Sequence, residues 1–176
     1  MDGKLLGRCL FRVRYDECDS MGITYHARYL DWFVIGRTEL LRACGLKYAE
    51  LERSGLFLPV LEARCRYIAS TRYDDWIRLE TRLFELTRTR MRFRYQVYRL
   101  PEADASAPGG DGAETAAAKP DELLAHPGLL AAEGETSHAF VDAQHRPVDV
   151  KKRFPDVWEK LAPLAEALQG GVAARG

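Results

Sequence analysis

The chain has 176 residues, enough for one compact domain with a sizeable core and too few for two of ordinary size. Lys plus Arg and Asp plus Glu each total 26, so the chain lacks the bulk positive field that non-specific nucleic-acid binding relies on, and any anion site has to be local. Residues 1–8 hold no continuous apolar stretch of signal-peptide kind and no later run approaches membrane-spanning length. The four cysteines, Cys9, Cys18, Cys44 and Cys65, lack the paired short spacings of a zinc site. A cytoplasmic protein with reduced thiols, no metal, no membrane span and no nucleic-acid partner is expected.

Apolar and basic residues alternate from Cys9 to Tyr15, with Phe11, Val13 and Tyr15 on one side, which predicts a half-buried strand. Residues Asp16 to Tyr25 break that period with acidic residues, Ser20 and Gly22, as a turn or loop does. From Ala27 to Cys44 the polar residues fall on one narrow stripe and apolar residues cover most of the remaining surface, predicting a helix largely wrapped by other structure. Gly36 in its middle costs about 1 kcal/mol against Ala and points to a close approach by another backbone, while Gly45 is a C-terminal stop.

A short amphipathic piece, Lys47 to Ser54, leads to strands that begin near Phe57. Ile77, Leu79, Thr81 and Leu83 alternate with charged residues, and Met91, Phe93, Tyr95 and Val97 with Arg92, Arg94 and Gln96, so one sheet face is expected to meet a core and the other solvent. Residues 101–134 are rich in Ala, Gly, Pro and acidic residues and are expected to form a flexible insertion between strands, with a helical patch near Asp121 to Ala125. Strands are predicted at Thr136 to Val141 and Pro147 to Val150, and a terminal helix at Phe154 to Leu168, kinked or divided at Pro163. Together these elements predict an α+β class: one domain over residues 1–176, an antiparallel curved sheet wrapped around a long central helix, with an extra C-terminal helix. There is no repeat, no Gly-rich phosphate loop and no nucleophile elbow.

The loop that carries Asp16, Glu17 and Asp19 runs into the start of the central helix and so brings carboxylates toward that end. A carboxylate is ionised at neutral pH and can attack or activate water. Free N–H groups at a helix start carry partial positive charge and can stabilise the oxyanion of acyl transfer. The segment Tyr15-Asp-Glu-Cys-Asp19-Ser-Met-Gly22-Ile-Thr-Tyr25-His26-Ala-Arg-Tyr29 resembles the signature of the hotdog-fold 4-hydroxybenzoyl-CoA thioesterase family, and its His26 variant is most similar to the Tol-Pal-associated acyl-CoA thioesterase branch. Arg37-Thr-Glu-Leu-Leu-Arg42, Arg72-Tyr-Asp-Asp75 and the stretch Thr136 to Pro147 extend the likeness, which covers Cys9 to Val150 apart from the insertion. Two positions depart from it: Val34 stands where many relatives carry Glu, and Ser70 where Pro is common.

The resemblance implies an acyl-CoA thioesterase that cleaves an acyl-CoA, or an acyl-carrier-protein thioester, to free acid and thiol. Asp19 would be nucleophile or general base, and the backbone N–H at His26 would polarise the carbonyl. A thiol is a good leaving group, so such an enzyme can dispense with a strong general acid. No cofactor is implied, coenzyme A being part of the substrate, and a homodimer or homotetramer pairing its sheets edge to edge follows from the family. The side chains of His26 and Tyr25 are further catalytic candidates, and Gly22 and Tyr29 candidates for binding substrate. Arg88, Arg90, Lys151 and Lys152 are candidates for the phosphates of coenzyme A, although charge runs are commonly solvated surface. Asp16 and Glu17 read as solvent-facing loop residues, and Cys18 lacks the third orienting group a thiol nucleophile needs. Rival readings are a non-catalytic acyl-CoA-binding module and a hotdog dehydratase or hydratase.

Overall fold

The alternating segments pair into one antiparallel sheet in the order β1-β3-β4-β5-β2, formed by β1 (Gly7–Arg12), β2 (Val60–Tyr67), β3 (Trp76–Leu86), β4 (Arg90–Leu100) and β5 (Leu129–Ala139). The computed structural model of the protein describes residues 7–101 and 120–165. Register shifts at Val60/Glu62, at Leu83/Glu85 and opposite Val97/Tyr98 bulge β2, β3 and β5, which locally increases strand twist and helps the sheet to curve.

Period-two alternation sends Ile77, Leu79 and Leu83 of β3, and Met91, Phe93, Tyr95 and Val97 of β4, to one face. There they meet Trp32, Phe33, Leu40 and Leu41 of the central helix α1 (Arg28–Ala43) in a single hydrophobic core. The outer face carries a ladder of charge. Arg92 bridges Glu85 and Glu135, Arg94 reaches Glu135, and Arg66 reaches Glu133.

Gly36 lies where α1 crosses β3. A Cβ there would collide with Thr81 Oγ1 and lie 2.8 Å from Leu79 Cδ2, so the helix-propensity cost is offset by contact that no larger residue permits. α1 stops at Gly45, which takes a positive φ of 72° while its N–H donates to Arg42 and that of Leu46 donates to Leu41. The short α2 (Tyr48–Arg53) follows.

Several boundaries differ from the sequence reading. Tyr15 does not continue β1 but sits in a 3-10 turn, Tyr15–Glu17, 81% exposed. α1 is not wrapped on all sides: Leu30, Val34 and Ile35 remain exposed, because the sheet of one chain covers only one flank of the helix. The helical patch near 121 is α3 (Pro120–Ala125), but residues 129–134 belong to β5, where Ala132 and Gly134 pair with Val97 and Tyr95. Residues 102–119, the body of the expected insertion, lie outside the described residues.

Pro147 makes only an isolated bridge to Val141. Asp149 accepts the Lys152 N–H at 3.0 Å and so caps α4 (Val150–Arg153) where a last strand was expected. α5 (Pro155–Leu161) then ends before Pro163, which falls in a 3-10 turn, Ala162–Leu164. Residues 166–168 of the expected terminal helix lie outside the described residues.

Candidate active site

The acidic loop is built on Glu17. This residue is 8% exposed: its Oε2 accepts the Arg14 N–H at 2.8 Å, its Oε1 accepts Trp32 Nε1–H at 2.9 Å, and its carbonyl accepts the Tyr25 N–H at 2.8 Å. Glu17 is therefore not a solvent-facing residue, as its acidic neighbourhood suggested. It ties the loop to the buried indole of α1, and a buried carboxylate is tolerated here because each oxygen has a donor. Asp16 does face solvent and pairs with Arg14 at 2.8 Å.

Downstream, the chain reverses sharply. The Asp19 carbonyl accepts Gly22 N–H at 3.0 Å, Asp19 N–H donates to Ile23 at 2.9 Å, and Gly22 takes a φ of 72°. Asp19 Oδ1 accepts Met21 N–H at 2.8 Å, while Oδ2 has no partner among the described residues. One oxygen is thus used to orient the carboxylate within the turn.

Asp19 lines a cleft of about 240 Å³ together with Ile23, His26, Tyr29, Tyr67 and Ile68. Its wall is fixed by hydroxyls: Thr24 and Thr71 lie 2.7 Å apart, and Tyr29 OH lies 2.9 Å from Thr71. Burial, opposed by the Thr71 bonds, pushes the Tyr29 phenol up, so it stays neutral. Tyr67 OH donates to the His26 carbonyl at 2.8 Å and its phenol is pushed up to about 12, chiefly by burial and then by the neighbouring Cys65 thiol.

The start of α1 supplies the donors. Tyr25 accepts the Arg28 N–H at 2.9 Å, whereas the N–H groups of His26 and Ala27 meet no acceptor among the described residues. They sit at the positive end of a 16-residue helix. The His26 ring is exposed, tilted at 58° to the Tyr25 ring with centroids 4.4 Å apart, and makes no side-chain hydrogen bond among the described residues.

Asp19, His26 and Tyr29 are thus brought together. Tyr25 flanks the His26 ring without lining the cleft, and Gly22 shapes the turn. Arg88 lies at the β3–β4 turn and Arg90 begins β4; the Arg88 carbonyl accepts the Val150 N–H and its guanidinium lies 3.5 Å from Asp149, which sets this turn beside α4, the helix that carries Lys151 and Lys152. That turn ends an 11-residue strand whose other end, Trp76, adjoins the loop side, a span of roughly 35 Å. Within one chain these cations do not meet Asp19. Burial pushes the Cys18 thiol up, which disfavours a thiolate nucleophile.

Tyr67, Thr71 and the Glu17–Trp32 pair were not singled out from the sequence. No periodicity links residue 67 to residue 26; only the sheet brings them together.

Residues 13–171 match the model of the thioesterase-like superfamily. YneP of Bacillus subtilis, provisionally named an acyl-CoA thioesterase, is 28% identical over 145 residues, covering 82% of this chain and 86% of that protein. The acyl-CoA thioesterase YbgC of Haemophilus influenzae is 33% identical over 89 residues, 50% of this chain and 65% of that one. Among solved structures, a DHNA-CoA thioesterase from Staphylococcus aureus superposes with a TM-score of 0.71 at 23% identity, covering 89% of each chain, a likeness of fold.

Proposed function

Because the chain belongs to the thioesterase-like superfamily and is a thioester hydrolase, we propose that it hydrolyses acyl-CoA thioesters with Asp19 as the reacting carboxylate and the His26 N–H as the donor to the carbonyl oxygen. The observation that carries this reading is the shared cleft, lined by Asp19 and His26: among the described residues, one Asp19 oxygen and the His26 N–H at the start of α1 have no hydrogen-bond partner. As nucleophile, Asp19 would attack the thioester carbon, expel the thiolate and leave an anhydride that water cleaves. As base, it would take a proton from the attacking water. In both routes the developing oxyanion faces the helix start, where donors cost no reorganisation. The His26 variant of the loop signature supports placement near the Tol-Pal-associated branch.

The same reading has the protein act as a homodimer in the cytoplasm. β2 is an edge strand exposed along nearly its whole length, and its last residue, Tyr67, lines the cleft, so a second copy paired there would complete the wall. The basic cluster around Arg88, Arg90, Lys151 and Lys152 would then serve the phosphates of a coenzyme A bound between copies.

Thiol release from short, long and aromatic acyl-CoAs, and from an acyl carrier protein thioester, tests the proposal. Wild type is expected to cleave at least one acyl-CoA, and Asp19→Asn to lose roughly 100-fold or more in kcat. A wild type inert on every thioester, or an Asn variant as fast, overturns it.

A further inference from the structure

We infer that Tyr67 is a positioning residue for the carbonyl-polarising amide of His26, an inference that rests on the thioester-hydrolysis reading. Its hydroxyl donates to the His26 carbonyl at 2.8 Å from β2, 41 positions along the chain. A carbonyl and the N–H that follows it point opposite ways across a trans peptide. The Tyr25 carbonyl turns back into the helix to accept the Arg28 N–H at 2.9 Å, so the His26 N–H of the same peptide points outward from the helix start. The next peptide, His26–Ala27, is held at its carbonyl by Tyr67. Residue 26 is thereby clamped on both sides, and rotation that would swing its N–H out of line requires breaking one of these bonds.

The surroundings fit that task. The Tyr67 ring packs edge-on against Tyr29 at 5.1 Å and against the His26 ring at 6.5 Å, so the hydroxyl is delivered on a ring held from two directions. Tyr29 is in turn anchored through Thr71. The phenol remains protonated across the range in which an esterase works, so a donor is always present. Tyr67 is 48% exposed and lines the cleft, which means its hydroxyl can be removed without opening the core. A donor aimed at the wrong angle weakens oxyanion stabilisation and leaves substrate binding intact, so the signature lies in kcat.

The test is steady-state kinetics of Tyr67→Phe on the acyl-CoA that wild type cleaves best, with Asp19→Asn measured alongside. Tyr67→Phe is expected to lower kcat by roughly fivefold to tenfold with KM within about twofold. The backbone amide resonance of Ala27 should shift while resonances of the outer sheet face do not. Replacement of Tyr67 by 3-fluorotyrosine keeps the hydroxyl and should retain wild-type kcat within about twofold. An unchanged kcat in Tyr67→Phe overturns the inference, as does a raised KM at constant kcat, or a fluorotyrosine protein as slow as the Phe variant. If wild type cleaves thioesters and Asp19→Asn does not, those results leave the hydrolase reading standing. If wild type cleaves none, both fall.

Discussion

His138 shows how a single buried side chain ties stability to pH. It is fully buried, its ring Nε2 lies 2.8 Å from Thr136 Oγ1, and Arg37 Nη1 lies 3.0 Å from the same nitrogen. With Nδ1–H directed at the Leu58 carbonyl, 3.4 Å away, Nε2 is free to accept from Arg37. Burial first, and the Arg37 charge second, lower the imidazole from 6.5 to about 4. The folded state therefore holds a neutral ring while the unfolded chain binds a proton below about pH 6.5. The stability is fully present above that pH and is lost as pH falls toward 4, by about 3 kcal/mol at the low end. Asp142, lowered first by the Arg146 backbone N–H, acts in the same direction. Melting curves from pH 7 to pH 4 should show Tm falling, and His138→Gln should flatten the part of the slope between pH 6.5 and 4. A slope unchanged by the substitution contradicts this assignment.

At the scale of elements, Arg78 explains how the chain re-enters the sheet before β5. Only 5% exposed, it donates to the carbonyls of Leu124, His126 and Pro127 and lies over the Tyr98 ring. The carbonyls at the end of α3 and just beyond it are thus satisfied by a strand residue, and Leu123 is buried beside them. Composition marks the whole of 101–134 as an insertion with few buried contacts, so that excision of 103–130 is expected to be tolerated, whereas the structure places the end of that range in α3 and β5. Excision of residues 103–118 with a short linker should leave Tm within a few degrees. Extending the excision to residue 130 should destabilise by several kcal/mol, because Arg78 loses three acceptors and β5 its first residues. Thermal melts of the two deletions check this, and equal stability contradicts it.

At the scale of the whole molecule, the second copy proposed above would cover the exposed edge of the sheet. β2 leaves one edge of the sheet unpaired, with Val60 and Leu61 more than half exposed, and the cleft opens beside the last residue of that strand. Wild type should sediment as a dimer or a dimer of dimers, and Val60→Lys combined with Leu61→Lys should shift it toward monomer with at least a tenfold loss of kcat/KM. A wild type that sediments as an active monomer contradicts the edge-pairing reading.

Much was legible without coordinates. The helix expected at 27–44 and found at 28–43, its stop at Gly45 and the alternation of β4 follow from periodicity and local backbone preference, which act over a few residues and leave their mark in the order of side chains. Gly36 is crowded as expected, but by the Thr81 and Leu79 side chains rather than by a backbone, and on β3 Arg78 and Glu80 are buried where a solvent face was expected. Asp19, His26 and Tyr29 were singled out by the family-like loop segment rather than by periodicity, and the structure sets all three around one cleft. What only the tertiary structure decided are the pairings across long stretches of chain: Glu17 with Trp32, Tyr29 with Thr71, Tyr67 with the His26 carbonyl, Arg37 with His138. A polar residue in a loop reads as solvent-facing until a distant donor is known, so burial of Glu17 had no local signal. Local order is encoded in spacing, whereas a hydrogen bond between residues 26 and 67 depends on where the sheet places β2 beside α1.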